Sequence, residues 1–316
     1  MTQFHARAIL LSGCIVALAL QNGIAQTSIS SDPAVEPAAA VSPTSAVPAG
    51  RIVRFHQQPT AVGDLVTQRL GVHLELTTKI TQSGQTAHES TNEMRRQQHR
   101  VIEVLEVVDG RATKVRASFP VSRRQSPENS NPEELASQPI EGQTYLMQRD
   151  GDQITVTDPD GVIPPQEEFK LVVESLENVG KPNPLAVLLV DRHVAVGQRL
   201  LVPRDMVQQL LGFDDPVGTV RRFELTLSRL LPADVKHAAE RAVFQTKIDI
   251  VPNDASPLTI ALQGEMVVET QTCRLASVQL AGPVQLSSIE RTAGGIFQYS
   301  AGGELKLAIS SQYGDE

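Results

Sequence analysis

Residues 70–80 read LGVHLELTTKI. Leucine, valine, threonine and isoleucine occupy the even positions, and glycine, histidine, glutamate, threonine and lysine occupy the odd ones. This period of two places one set of side chains on each face of a β-strand. The stretch therefore predicts a long strand with one buried face, and it makes a mainly β protein the first hypothesis.

The same pattern recurs along the chain. Hairpins are predicted at 100–119 and 144–157, because Asp109-Gly110 and Asp150-Gly151 are residue pairs that favour tight two-residue turns. Further strands are predicted at 223–231, 242–251, 258–268 and 275–280, and at 296–300 and 304–309 around a turn at Gly302-Gly303. We expect a mainly β fold with a few packing helices. Its long antiparallel strands should form two related β halves or one curved sheet or half-barrel.

Three segments favour helices instead. Residues 167–179 carry apolar side chains at helical spacing, between Pro164-Pro165 and Gly180. Residues 184–190 predict a short second helix. A third is predicted at 203–212, which begins with proline and ends with glycine. We expect these helices to pack over the sheet.

The first 25 residues have the organisation of a secretory signal peptide. Arg7 is their only formal charge, and residues 8–20 (AILLSGCIVALAL) are almost wholly apolar. Gly23 and Ala25 are the small residues that precede a cut, so cleavage is predicted after Ala25. The apolar run is shorter than the about 20 residues that span a bilayer. We expect an exported protein of the periplasm, cell envelope or extracellular space, with no membrane span in the mature chain.

Cys14 and Cys273 are the two cysteines. Leu11-Ser12-Gly13-Cys14 matches a short lipoprotein acylation motif, but the apolar run continues to Leu20, whereas an acylated cysteine should close it. Removal of the signal leaves Cys273 without an intrachain disulfide partner. We expect Cys273 to be a small buried hydrophobe within a strand. A reactive or intermolecular thiol is the alternative.

Residues 26–50 are rich in proline, alanine, serine and threonine and show no apolar period. Such a composition is typical of a disordered linker. The expected organisation is a signal peptide at 1–25, this linker at 26–50, a first β-rich half at 51–190 that contains the helix 167–179, and a second β-rich half at 191–316.

A weak internal duplication is also predicted. Residues 61–65 (AVGDL) resemble 195–200 (AVGQRL), and a glycine then opens a later hairpin in each half, at Gly142 and Gly264. With the late strand at Leu262-Gln263-Gly264-Glu265, these motifs resemble a loose group of uncharacterised exported bacterial β-rich proteins with two related halves. The resemblance covers most of residues 60–310. It implies the architecture and no established activity.

Composition argues against nucleic acid as a partner. The chain has 28 Lys and Arg against 36 Asp and Glu, a formal net charge of −8. Nucleic-acid binding needs a basic footprint, and the basic clusters at Arg95-Arg96 with Arg100 and at Arg123-Arg124 are expected to be solvated faces. Aromatic residues make up 3% of the chain and tryptophan is absent. Platforms that stack sugars or single-stranded nucleic acid are therefore not expected.

No motif for a nucleophilic serine, a zinc-binding helix or a phosphate loop occurs. The histidines after the signal are expected to be surface residues, and they are His56, His73, His88, His99, His193 and His237. His73 should lie on the polar face of its strand and His88 in a turn. His237 could share a face with Glu240 only in a helix. No catalytic, cofactor-binding or metal-binding residue is predicted, and no cofactor.

Acidic turns offer the remaining candidate ligands. Asp150-Gly151-Asp152 and Asp158-Pro159-Asp160-Gly161 could supply oxygen atoms to calcium. Asp and Gly are also the residues that turns require, and the spacing of a calcium-binding EF-hand loop is absent. Asp214-Asp215-Pro216 is interpreted as a turn after the third helix.

Three function classes stay open. The first interpretation is a non-catalytic interaction or structural module of the cell envelope, with an unknown envelope protein as partner. The alternative is a carrier of a lipid or other apolar ligand in a β half-barrel. The third is a hydrolase without a recognisable motif. An interior cavity would favour the carrier, and a cleft that gathers a histidine, a carboxylate and a serine would favour the hydrolase.

Overall fold

The computed structural model describes residues 50–82, 84–125, 134–211, 218–233, 239–253, 256–292 and 295–314. Its main body is a 12-stranded antiparallel sheet that is not closed into a barrel. The predicted mainly β fold is thereby confirmed, in the form of one continuous sheet. The predicted signal, Cys14, the linker, His237 and Asp214-Asp215-Pro216 lie outside the described residues.

The strands of the first part of the chain are β1 (Ile52–Arg54), β2 (Leu65–Gln82), β3 (Gln85–Val108), β4 (Arg111–Gln125), β5 (Leu135–Ser137), β6 (Thr144–Asp150) and β7 (Gln153–Thr157). Those of the second part are β8 (His193–Ala195), β9 (Arg199–Leu201), β10 (Thr219–Leu231), β11 (Arg241–Val251), β12 (Leu258–Glu269), β13 (Leu275–Thr292) and β14 (Gly295–Tyr313).

Two meanders of hairpins build the sheet. Its order is β7-β6-β4-β3-β2-β14-β13-β12-β11-β10-β9, with β5 paired to β4. The two meanders join where β2 pairs with β14, with Gln68 opposite Ser311. Strands β1 and β8 form a separate small sheet. The division into two related halves agrees with this connectivity but stays a prediction.

Several strands are longer than the sequence predicts. β3 begins at Gln85, so His88 lies in a strand and the predicted turn there is wrong. β13 continues to Thr292, and β14 runs unbroken through Gly302-Gly303, where a turn was expected. These three errors have one physical reason. Neighbouring strands supply the backbone hydrogen bonds of these polar or glycine-rich stretches, which local composition does not reveal.

Gly264 and Gly303 are strand residues that have to be glycine, because the backbone of a neighbouring strand lies too close for a side chain. A Cβ on Gly264 would lie 1.9 Å from the Gln279 carbonyl oxygen, and one on Gly303 would lie 1.7 Å from that of Glu75. Such contacts leave room for glycine alone. The expected hairpin opening at Gly264 is therefore wrong, since this residue is in the middle of β12.

The two segments matched in the sequence, 61–65 and 195–200, contain glycines with the same backbone conformation. Gly63 and Gly197 both have φ 88°, and Gly142 has φ 75°. Their amides donate to Val104, Leu227 and Phe119 carbonyls at 2.8, 2.7 and 2.8 Å. Glycine suits this left-handed backbone. Gly142, which the sequence matched with Gly264, therefore shares its turn geometry with Gly63 and Gly197 instead.

Three helices accompany the sheet, namely α1 (Gln166–Ser175), α2 (Pro184–Leu189) and α3 (Arg204–Leu211). The Asn183 side chain caps α2 by accepting from the Leu185 amide at 3.0 Å. The predicted helices are confirmed as elements, although α1 ends four residues earlier than expected. Among the described residues, no helix combines the length and apolar character needed to cross a membrane.

The helices pack on one face of the sheet, here called the covered face. α2 and α3 share a large apolar cluster with the β9–β14 side and β2, including Leu188, Val207 and Leu225. α1 shares a second cluster with β4, β6 and β7, including Phe119 and Val172. The opposite face, here called the open face, carries mainly polar side chains. One sheet therefore supports two separate apolar cores.

Candidate functional site

A row of buried polar side chains separates these two cores on the covered face. On β3, Arg96, Gln98 and Arg100 are 2%, 3% and 4% exposed. Arg96 lies opposite Val72 of the large core, and Arg100 lies opposite Gln68, which is 2% exposed. We call Gln68, Arg96, Gln98 and Arg100 the polar seam. Strand alternation puts its three β3 residues on one face.

Gln98 connects the seam to its surroundings. Its Nε2 donates to the Ser175 hydroxyl of α1 at 3.1 Å and lies 3.4 Å from the Ser122 hydroxyl of β4. Ser122 in turn donates to Gln138 Oε1 at 3.0 Å. This buried network fixes where α1 meets the sheet, because each of these polar groups would otherwise lose its hydrogen bond on burial.

The two arginines are less well compensated. Among the described residues, Arg96 Nε and Nη2 and Arg100 Nε and Nη1 are buried without a hydrogen-bond partner. Burial lowers the pKa of Arg96 to about 10, although the charge of Glu174 on α1 opposes this. Burial, reinforced by the charge of Arg96, lowers the pKa of Arg100 to about 9. The seam thus holds two cations and unused hydrogen-bond donors away from solvent.

This arrangement corrects the expectation that Arg95-Arg96 and Arg100 form a solvated face. Arg95 and the other odd-numbered residues of this stretch lie on the open face, whereas Arg96 and Arg100 lie on the covered face. Alternate residues of a strand point to opposite faces of the sheet. Residues 95–100 (RRQQHR) are all polar, so the sequence shows no alternation that marks a buried face. The buried positions are missed because such positions are normally apolar. Arg123 is exposed as expected and pairs with Glu141.

Half-buried apolar side chains continue the covered face beyond the helices. Leu76, Met94 and Leu286 pack against the edge of the large core. Strand alternation and the β13–β14 register add further half-buried side chains to this surface. We call the group the apolar extension, and it consists of Leu76, Ile80, Met94, Leu286, Phe297 and Tyr299. Met94 is two residues from Arg96 on the same face of β3, so the extension adjoins the polar seam.

The open face carries a different cluster. The Glu93 carboxylate lies 2.6 Å from His73 Nε2 and accepts from Arg95 Nε at 2.6 Å. Burial acts to raise the pKa of Glu93, but the hydrogen bonds from Arg95 and His73 outweigh it and lower the pKa. His73 therefore faces the polar side as predicted. Its pairing with Glu93 was missed, because no strand was predicted at residue 93.

Two shallow grooves of about 740 and 640 Å³ lie on this open face. The larger is lined by His73 and Arg95 together with small residues such as Gly71 and Ala281. No serine or cysteine occurs among the described residues that line it. The groove thus combines a histidine with a nearby carboxylate but lacks the serine of the hydrolase hypothesis.

The other residues weighed from the sequence are dispersed. His56, His88 and His193 are exposed on separate strands or loops. Asp150-Gly151 forms the expected hairpin turn, and the Asp158 carboxylate accepts from the Val162 amide at 2.8 Å within its own loop. Asp160 is exposed. In the described part of the chain, no three histidine, cysteine, aspartate or glutamate side chains gather as a metal site.

Cys273 is fully buried, in accord with the small-hydrophobe interpretation. It lies in the turn between β12 and β13 with φ 52°, so the expectation of a strand at this residue is wrong. Its carbonyl accepts from Asn183 Nδ2 at 3.0 Å. Burial raises the pKa of the thiol to about 12. The residue thereby links the turn to the start of α2.

No family model and no curated protein matches the chain. Among solved structures, a lipovitellin structure on lipid–protein interactions aligns at TM-score 0.34 and 8% identity over 80% of this chain, which spans 26% of that protein. A LolA superfamily protein from Nitrosomonas europaea aligns at 0.14 and 9% identity, over 77% and 84% of the two chains. The P. putida toluene transporter TodX aligns at 0.16 and 7%, over 81% and 91%. Likenesses at these TM-scores do not establish a shared fold.

Proposed function

We propose that this is a non-catalytic binding protein for an amphipathic, lipid-like ligand, which it holds on the covered face. The proposal rests on the order of side chains along the covered face of β3. Along one face of this strand, Met94 of the apolar extension leads directly to the buried Arg96 and Arg100 of the seam. An apolar surface that ends at buried polar groups matches a molecule with an apolar tail and a polar end.

The position of the seam supports the proposal. It lies where the α1 core and the α2–α3 core meet the same sheet but remain separate clusters. The side chains between the two cores are polar, so the polar end of a ligand at this boundary would meet hydrogen-bonding groups instead of packed apolar side chains.

The apolar extension supplies the second part of the binding surface. Its side chains are only half-buried, so contact with an alkyl chain would remove further apolar area from water. Each buried methylene group contributes about 0.8 kcal/mol. An alkyl chain that lay along the apolar extension would therefore be stabilised by each methylene group that it buries there.

A fluorescent apolar probe tests this proposal. N-phenyl-1-naphthylamine should bind the wild-type protein with increased emission, and Leu286→Gln should weaken that binding about tenfold. Ile289→Gln is the matched control, because Ile289 lies three residues away on the open face of the same strand and is 64% exposed. Both variants should keep the wild-type melting temperature within a few degrees. Equal affinity of the two variants, or no binding by the wild type, would contradict the proposal.

We also infer that this binding takes place outside the cytoplasm. The inference rests on the apolar run that ends at Gly23-Ile24-Ala25. N-terminal sequencing of the protein from its native host should begin at Gln26. An acylated Cys14 as first residue, or a chain that retains Met1, would contradict cleavage at this position.

A further inference from the structure

The charges of the polar seam indicate which polar group the ligand carries. Arg96 and Arg100 lie four residues apart on the same face of β3, and both are buried, at 2% and 4% exposed. Buried like charges repel each other, and each loses its hydration. Such an arrangement is destabilising unless an anion compensates it.

The described residues supply little compensation. Glu174 is the acid whose charge acts on Arg96, but it is exposed on α1, and the exposed Arg124 opposes its effect. No salt bridge of Arg96 or Arg100 is formed among the described residues, and four of their guanidinium nitrogen atoms have no hydrogen-bond partner. Gln98, between them, already uses its amide nitrogen for Ser175.

We propose that Arg96 and Arg100 together bind the anionic end of the ligand, a phosphate or carboxylate group. This inference deepens the proposed function and rests on it for the apolar part of the ligand. Guanidinium groups present planar pairs of N–H donors that match the oxygen atoms of both anions. The anion would satisfy the buried donors and offset the repulsion between the two cations, while the attached chain follows Met94 towards the apolar extension.

Matched ligands on the wild-type protein test the charge requirement. Dodecyl phosphate and dodecanol share one alkyl chain and differ in the anionic group, and each is titrated by displacement of N-phenyl-1-naphthylamine. Dodecyl phosphate should bind at least tenfold more tightly. Equal affinity would overturn the anion site and leave the apolar-ligand proposal in place.

Arginine variants locate the effect. Arg96→Gln and Arg100→Gln should each abolish most of the preference for dodecyl phosphate over dodecanol. Arg95→Gln removes the same charge from the open face of the same strand, and it should keep the full preference. The Gln variants should fold, because removal of an uncompensated buried charge does not destabilise the native state. Loss of the preference in Arg95→Gln alone would place the anion in the open-face groove and overturn the inference.

Inorganic phosphate tests the anion site separately from the apolar site. If the seam accepts a free anion, millimolar phosphate should raise the melting temperature of the wild type and not that of Arg100→Gln. If it accepts only a lipid headgroup, phosphate has no effect while dodecyl phosphate still binds preferentially. Failure of both alkyl ligands to bind, with stabilisation by phosphate retained, would overturn the proposed function and keep the anion site.

Discussion

Gln98 of β3 donates a hydrogen bond to the hydroxyl of Ser175, the last residue of α1, at 3.1 Å. The two residues are 77 positions apart in the chain, and both are buried. The bond links the smaller core to the polar seam at the point where the two cores meet. The position of α1 over the proposed ligand site therefore depends in part on this single contact.

Ser175→Ala should lower the free energy of unfolding by about 1 kcal/mol, the usual effect of losing one buried hydrogen bond. The amide exchange of α1 should accelerate more than that of β11, which belongs to the other core. Urea unfolding and hydrogen exchange measure the two effects. Ser137→Ala is the control, since it removes an exposed hydroxyl that donates to Glu141. A larger loss for Ser137→Ala would contradict the importance of the seam contact.

Gly303→Ala should destabilise the protein by more than about 2 kcal/mol, because the added methyl group meets the backbone of β2 and one strand has to move. Gly302→Ala is a matched control in the same strand, as nothing lies within 4 Å of its added Cβ. Thermal melts of the two variants compare them directly. Similar melting temperatures would mean that β2 and β14 do not approach closely at Gly303.

Acid should weaken the contact between β4 and the loop after β5. The Arg123 guanidinium, with the Ser122 amide and the Ser137 hydroxyl, holds the pKa of Glu141 below its usual range. A carboxyl whose pKa is lowered by folding stabilises the protein above its unfolded pKa, near 4.3, and loses that contribution as the pH falls through the folded pKa. Wild-type stability should thus fall more steeply below about pH 4.5 than that of Glu141→Gln.

Arg123→Gln should reduce the same pH dependence of stability. The variant that combines Arg123→Gln with Glu141→Gln should lose no more free energy of unfolding than the two single variants lose together. Chemical unfolding between pH 3 and pH 7 provides the comparison. Parallel pH profiles for wild type and Glu141→Gln would show that Glu141 does not contribute.

Cys273 should not react with a thiol reagent in the native protein, because its sulfur is buried and burial raises the pKa of the thiol to about 12. The test uses the chain with Cys14→Ser, so that one thiol remains. Ellman's reagent at pH 8 should label it only at urea concentrations that unfold the protein. Rapid stoichiometric labelling without denaturant would contradict the buried turn between β12 and β13.

The sequence predicted the strands whose buried faces are apolar. Leu70, Val72 and Leu74 alternate with polar residues and do form the centre of β2. The β6–β7 hairpin was predicted from its turn, which Asp150-Gly151 favours. In both cases the residues of the segment itself carry the signal.

The candidate site was not predictable in this way. Arg96 and Arg100 were assigned to solvent, because charged residues are rarely buried and nothing local marks them as exceptions. The polar seam around them instead meets α1, whose Ser175 bonds to Gln98 from 77 residues further along the chain. The unbroken course of β14 at Gly303 likewise depends on β2, which begins more than 200 residues earlier. Such long-range packing leaves no periodic signal within the segment.

Photo-crosslinking would locate the alkyl chain of the bound ligand on the sheet. A dodecyl phosphate analogue with a diazirine near the end of its chain is bound to the intact protein and irradiated, and the labelled residues are mapped by tandem mass spectrometry. We expect labels on the covered face of β2, β3 and β13, at Leu76, Met94 or Leu286, and their loss in Arg100→Gln. Labels confined to the open-face groove beside His73 and Ala281, or labels unaffected by Arg100→Gln, would contradict this expectation.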